Sequence, residues 1–95
     1  MVIFEFRGGL DSLFGTDRMD ISIENSSTIE QVVLNLAESI PTEKRHLFID
    51  EDEDEVIRPG ICVLIDEEDI DVLDGMETEI NDNQLVTFIA MAHGG

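Results

Sequence analysis

The chain has 95 residues, 42% of them hydrophobic, and a formal net charge of -18. That length supports one small core, and the apolar content argues for folding despite the charge. With 23 acidic residues against 5 Lys and Arg, a direct grip on nucleic acid is disfavoured, because phosphate binding depends on cations that release counterions; the expected partner is basic.

Val2, Phe4 and Phe6 alternate with Ile3, Glu5 and Arg7, which predicts a first strand with one apolar face, broken by Gly8 and Gly9. Leu10, Leu13, Phe14 and Gly15 form a connection longer than a tight hairpin loop, expected to tuck an aromatic ring over the sheet edge. Met19, Ile21 and Ile23 alternate with Arg18, Asp20, Ser22 and Glu24, predicting a second strand with one wet face. From Thr28 the period lengthens to about 3.6 residues. Ile29, Val32, Val33, Leu36, Ala37 and Ile40 form one helical stripe, with Ser27 as the expected cap, Glu30 completing a capping box and Pro41 ending the helix.

Leu47, Phe48 and Ile49 predict a short strand, followed by six acids in succession from Asp50 to Glu55, an exposed loop of repelling charges. This run does not match a calcium loop, because Glu55 stands where that loop needs glycine and Ile61 where it needs glutamate. Arg58, Pro59 and Gly60 form a stiff turn into an apolar strand, Ile61 to Ile65. Asp66 to Asp69 read as an acidic turn, with Ile70, Val72 and Leu73 as the returning hairpin arm and Met76 to Ile80 as a short helical turn. In the final strand Val86, Phe88 and Ala90 face one way and Thr87, Ile89 and Met91 the other; its near-continuous apolarity marks it as central. One helix across a mixed sheet buries both apolar faces. No repeat or linker interrupts the chain, so residues 1–95 are expected to form a single domain with a mobile tail at about 92–95.

No stretch has the roughly twenty apolar residues that span a bilayer, and the N-terminus lacks the pattern of a secretory leader, so a cytoplasmic setting is expected. Cys62, the sole cysteine, lies in an apolar run and is expected to be a small buried hydrophobe. His93, Gly94 and Gly95 follow the final strand. Two glycines pack nothing and make a thin tail that presents the Gly95 carboxylate to an enzyme channel; a frayed end with no role is the other reading.

These residues carry a pattern. Phe6 to Gly9 through Leu13 and Phe14, Leu47 to Ile49, Arg58 to Ile61 with Val63 to Ile65, Leu73, Phe88 and Ile89, and the ending His93, Gly94, Gly95 together resemble the ubiquitin-related modifier (URM) family over nearly the whole length. The resemblance implies an α+β, β-grasp fold: a mixed sheet of four to five strands on one main helix. It also implies a sulfur carrier with no catalytic residues, metal or cofactor of its own. An E1-like adenylyltransferase and sulfurtransferase uses ATP to activate the Gly95 carboxylate, a persulfide leaves a thiocarboxylate, and a tRNA thiolation complex uses that sulfur at the wobble uridine. Attachment to lysines of target proteins is the family's second implied role.

Within that resemblance, Gly94 and His93 are the tail-recognition candidates, with a partly exposed spectator role open for His93. Arg58 is a candidate docking residue on a chain whose sheet surface is the expected docking face, and pairing with internal acids is its structural alternative. The Asp50–Glu55 run departs from the family's usual connection, and Ala92 stands where a larger apolar residue is expected. A carrier for molybdopterin or thiamine synthesis, or a β-grasp interaction module that is never activated, is the alternative function.

Overall fold

In the computed structural model, residues 1–23, 27–50 and 56–91 are described; most of the acidic run and the tail from Ala92 to Gly95 lie outside them. The first strand, β1, runs Val2–Arg7 with Val2, Phe4 and Phe6 buried. A second strand, β2, spans Arg18–Ile21 and pairs antiparallel with β1, Phe4 opposite Met19. This strand is shorter than the alternation predicted, ending before Ile23. Between them, Leu10–Phe14 form a short helix, α1, where a loop was expected. Gly9 and Gly15 bound it at φ 99 and 75, conformations that an L side chain resists. The predicted tucked aromatic is Phe14, stacked on Phe6 with ring centroids 4.1 Å apart.

Ser27–Thr28 form a two-residue strand, β3, leading directly into the main helix, α2, at Ile29–Ala37. The helix cap therefore falls one residue later than predicted, and the capping box joins Thr28 to Gln31 rather than Ser27 to Glu30. Gln31 N donates to Thr28 Oγ1 at 3.2 Å and Thr28 N to Gln31 Oε1 at 3.0 Å, while Ser27 is engaged opposite Ile80. Past Ala37 the chain tightens into turns, with Ile40 N bonded to Ala37 O. Arg45 closes this end: its Nε donates to Ala37 O and Ile40 O, both at 3.0 Å, adding a side-chain donor where helix-end carbonyls run short of backbone partners.

The expected strand at Leu47–Ile49 is absent. Thr42–Leu47 form a 3-10 helix instead, and Ile49 makes only an isolated bridge to Ile57. Phe48 is fully buried, edge-on to Phe14 at 5.0 Å and to Phe88 at 5.5 Å. All 5 phenylalanines thus join one cluster, since Phe4 and Phe6 both stack on Phe88.

Ile61–Ile65 form β4 as predicted. The chain reverses at Asp66 and Glu67, which adopt φ 49 and 73, so the returning arm is Glu68–Asp69, β5, and not Ile70–Leu73. Ile70–Val72 and Gly75–Glu77 are 3-10 turns, and Glu79–Ile80, β6, pairs with β3. The last strand, β7, is Leu85–Ala90. The sheet order β2-β1-β7-β4-β5 puts β7 at the centre, parallel to β1 and antiparallel to β4. Its inner side chains Val86 and Phe88 have no exposure and meet the α2 stripe of Ile29, Val32, Val33 and Leu36 in one core. This is the β-grasp arrangement of a mixed five-stranded sheet and one main helix.

Candidate functional site

The end of the central strand is held by four backbone approaches. Met91 N donates to Gly60 O at 2.8 Å, which ties the last described residue to the Arg58–Gly60 turn. Ile61 pairs with Ala90 on one side of β7, and Arg7 pairs with Ile89 on the other. Gly8, at φ +69, lies so close to Ala90 that an added Cβ would stand 2.2 Å from its carbonyl oxygen. Two glycines, Gly8 and Gly60, thus flank the point where the chain leaves the sheet. The sequence showed Gly8 only as a strand breaker; its contact with Ala90 depends on the parallel β1–β7 pairing, which no local pattern encodes.

The outer sheet face next to this exit is apolar at its centre. In register across the strands, Ile3 neighbours Leu85, Thr87 lies between Glu5 and Leu64, and Ile89 lies between Arg7 and Cys62. Ile3, Leu64, Leu85, Ile89 and Cys62 are partly exposed, and Met91 is 55% exposed at the edge of the exit. Glu5 holds Arg7 in an ion pair at 3.1 Å.

Cys62 is half-buried on this face rather than sealed in the core, because it lies on the outward-facing register of β4. Its Sγ donates to Asp69 Oδ2 at 3.4 Å. Burial raises the thiol's pKa, and the Asp69 hydrogen bond and the charges of Asp69 and Asp71 raise it further, so the thiol is held protonated and weakly nucleophilic.

Arg58 is engaged with the segment before the acidic run. Its backbone N donates to Phe48 O at 2.9 Å, and Nη1 donates to His46 O at 3.2 Å, stitching the turn to the 3-10 segment. Among the described residues the guanidinium meets a carbonyl and forms no ion pair. With Thr42, Arg45, His46, Ile49, Asp50 and Pro59 it lines a groove of about 700 Å³. The tail candidates His93, Gly94 and Gly95 lie outside the described residues; of the Arg58–Gly60 turn, Gly60 is the residue that meets the end of β7.

The family model described as Urm1, ubiquitin related modifier, matches residues 1–95. The chain belongs to the ubiquitin-related modifier family. Similar relatives include the ubiquitin-related modifier 1 homologs of Drosophila simulans, 35% identical over 99% of this chain and 93% of that protein, and of Dictyostelium discoideum, 30% identical over 99% and 98%. The solution structure of Urm1 from Trypanosoma brucei superposes with a TM-score of 0.74 at 28% identity, covering 99% of this chain and 94% of that one. The small archaeal modifier protein 1 of Methanosarcina acetivorans shares the fold, with a TM-score of 0.80 at 21% identity over 99% and 95% of the two chains. As a member of the ubiquitin-related modifier family the protein is a ubiquitin-like sulfur carrier and not itself an enzyme.

Proposed function

We propose that the Gly95 carboxylate is the group this carrier loads, that an E1-like enzyme loads it, and that the sulfur goes to the wobble uridine of cytoplasmic tRNA. A carboxylate is a poor electrophile. Attack of its oxygen on the α-phosphorus of ATP expels pyrophosphate and leaves an acyl adenylate, whose carbonyl then accepts a persulfide sulfur as AMP departs. Cleavage of the resulting S–S bond by a second thiol of the enzyme leaves the thiocarboxylate. Attack on the adenylate or its thio derivative by a lysine amine gives the isopeptide of the second role, protein modification. Every catalytic group belongs to the partner, so this chain has only to deliver an unobstructed acyl group.

The observation that carries the reading is the exit itself: the central strand ends at Ala90 between Gly8 and the Gly60 carbonyl, beside the exposed Met91. Beside Met91, Ile89, Leu64 and Cys62 on the outer face form the proposed docking surface, and Gly94 and His93 are the proposed recognition elements. The net charge of -18 favours encounter with a basic enzyme surface. The test is Gly95→Ala with the cognate E1-like enzyme, ATP and a sulfur donor: the added methyl is expected to impair adenylation and thiocarboxylate yield, and unchanged yields would overturn the assignment. Loss of tRNA thiolation with molybdoenzyme activity intact, after deletion of the gene, separates this acceptor from a molybdopterin pathway.

A further inference from the structure

The side of the molecule away from the outer face carries a second concavity, between β2 and α2. Phe4, Met19, Ile21, Ile23, Val32 and Leu36 supply its apolar lining, Ser22, Ser27, Asn35 and Ser39 its polar lining, and its volume is about 480 Å³. One wall is the sheet edge, because among the described residues β2 pairs only with β1. Phe6 N donates to Asp17 O at 3.0 Å, so by the two-residue alternation of an antiparallel ladder Met19 and Ile21 bond toward β1 while Arg18 and Asp20 turn their backbone groups to the free edge. Thr16 Oγ1 occupies both of Arg18's groups, donating to its O at 2.9 Å and accepting from its N at 3.3 Å. Among the described residues Asp20 is left as the open rung, between the lining residues Met19 and Ile21.

We infer that this edge and groove take an extended segment of a basic partner protein by strand addition, with alternate aliphatic side chains entering the groove and Lys or Arg flanking them. An unpaired rung supplies main-chain hydrogen bonds, and a groove alongside supplies side-chain selectivity, the two components of strand-addition recognition. Charge selects the occupant. Asp20 is exposed on the edge strand between the lining residues Met19 and Ile21, and Glu38 is exposed next to the lining residue Ser39; of the nearby cations, Arg18 is held by Asp20 at 3.5 Å and Arg45 is bonded to the carbonyls of Ala37, Ile40 and Glu38. A second copy of this chain, carrying a net charge of -18, is disfavoured for the same reason. Access is independent of sulfur loading. Because β1 and β7 are parallel and β2 is antiparallel, Ile21 lies opposite Val2, at the end of the sheet remote from Gly8 and Ala90. The groove therefore stays open while the tail is engaged, and its occupancy neither requires nor follows from activation of Gly95.

The test is an amide-resolved NMR titration of the intact protein with a synthetic peptide whose alternating Val and Ile core lies between lysine pairs. Expected are saturable shifts centred on Asp20, Ser22, Asn35 and Ser39, slowed hydrogen exchange at the Asp20 amide, and affinity that falls as salt rises. Ile21→Lys, at a half-exposed edge position, is expected to weaken binding by about tenfold or more. Asn35→Arg, on the exposed helix rim where folding is not at stake, is expected to weaken it through charge. The inference is overturned by any of three results: shifts centred on Ile89 and Leu64, equal affinity for a peptide with glutamate flanks or a proline-interrupted core, or no response at millimolar peptide.

Discussion

Gly8 and Ala90 touch backbone to backbone: an added Cβ on Gly8 would lie 2.2 Å from the Ala90 carbonyl oxygen, and Gly8 itself adopts φ +69. Strain and collision therefore combine at the place where the tail begins. Gly8→Ala is expected to cost about 1 to 3 kcal/mol and to shift the end of β7. Gly9, at φ +99 with nothing within 4 Å of its added Cβ, is the control; Gly9→Ala carries only the left-handed penalty of about 1 to 2 kcal/mol. Urea unfolding of both variants, with amide shifts at Ala90 and Met91, checks the difference. Equal costs and an undisturbed Met91 would show that the close approach is unimportant.

Leu36 is 5% exposed in the α2 stripe. Leu36→Ala is expected to lose about 2 to 5 kcal/mol, as buried leucine truncations do. A loss below about 1 kcal/mol in denaturant melts would put that helix face in solvent.

The parts legible in the sequence were those with a sustained period. The two-residue alternation of Val2, Phe4 and Phe6, the helical stripe from Ile29 to Leu36, and the near-continuous apolarity of Val86 to Ile89 each repeat long enough to identify an element and its inner face. The misread segments lacked that length. Leu47, Phe48 and Ile49 spell a strand in three residues, yet a 3-10 turn lets Phe48 reach both Phe14 and Phe88, so tertiary burial overrides a weak local preference. Asp66 and Glu67 reverse the chain within the predicted acidic turn, but in two left-handed residues, so the returning arm starts at Glu68 and not at Ile70. Cys62 looked like core because its neighbours do, but on β4 alternate residues face outward. Arg45 as the closure of α2 had no signal beyond being basic and near a helix end.

The Cys62 thiol has a raised pKa, through burial first and Asp69 second. Thiol stability linkage follows in sign: the contribution is fully present below the unfolded-state value of about 8.5 and is lost as pH rises through the folded-state value. Alkylation by iodoacetamide in mildly alkaline buffer is expected to be slower for the folded protein than for a free cysteine. Asp69→Asn removes a charge next to the sulfur, so it is expected to speed the reaction and move its pH profile downward; an unchanged profile would remove Asp69 from the account.

Arg58 Nη1 donates to the His46 carbonyl at 3.2 Å. Arg58→Ala is expected to cost about 0.5 to 1.5 kcal/mol, the net value of one such bond, seen as a lower urea midpoint. Sulfur loading near the wild-type rate in the same variant supports the structural assignment, whereas a large loading defect at unchanged stability would instead make Arg58 a docking residue.

The central claim is that the C-terminal acyl group of this carrier becomes a thiocarboxylate. Intact mass of the protein after incubation with its E1-like enzyme, ATP and a sulfur donor tests it most directly. The account predicts a gain equal to sulfur replacing one oxygen, located by fragmentation at Gly95, dependent on ATP and lost when Gly94 and Gly95 are deleted while the unfolding midpoint stays unchanged. An unaltered mass with a demonstrably active enzyme, or the same gain on the deleted protein, would contradict it.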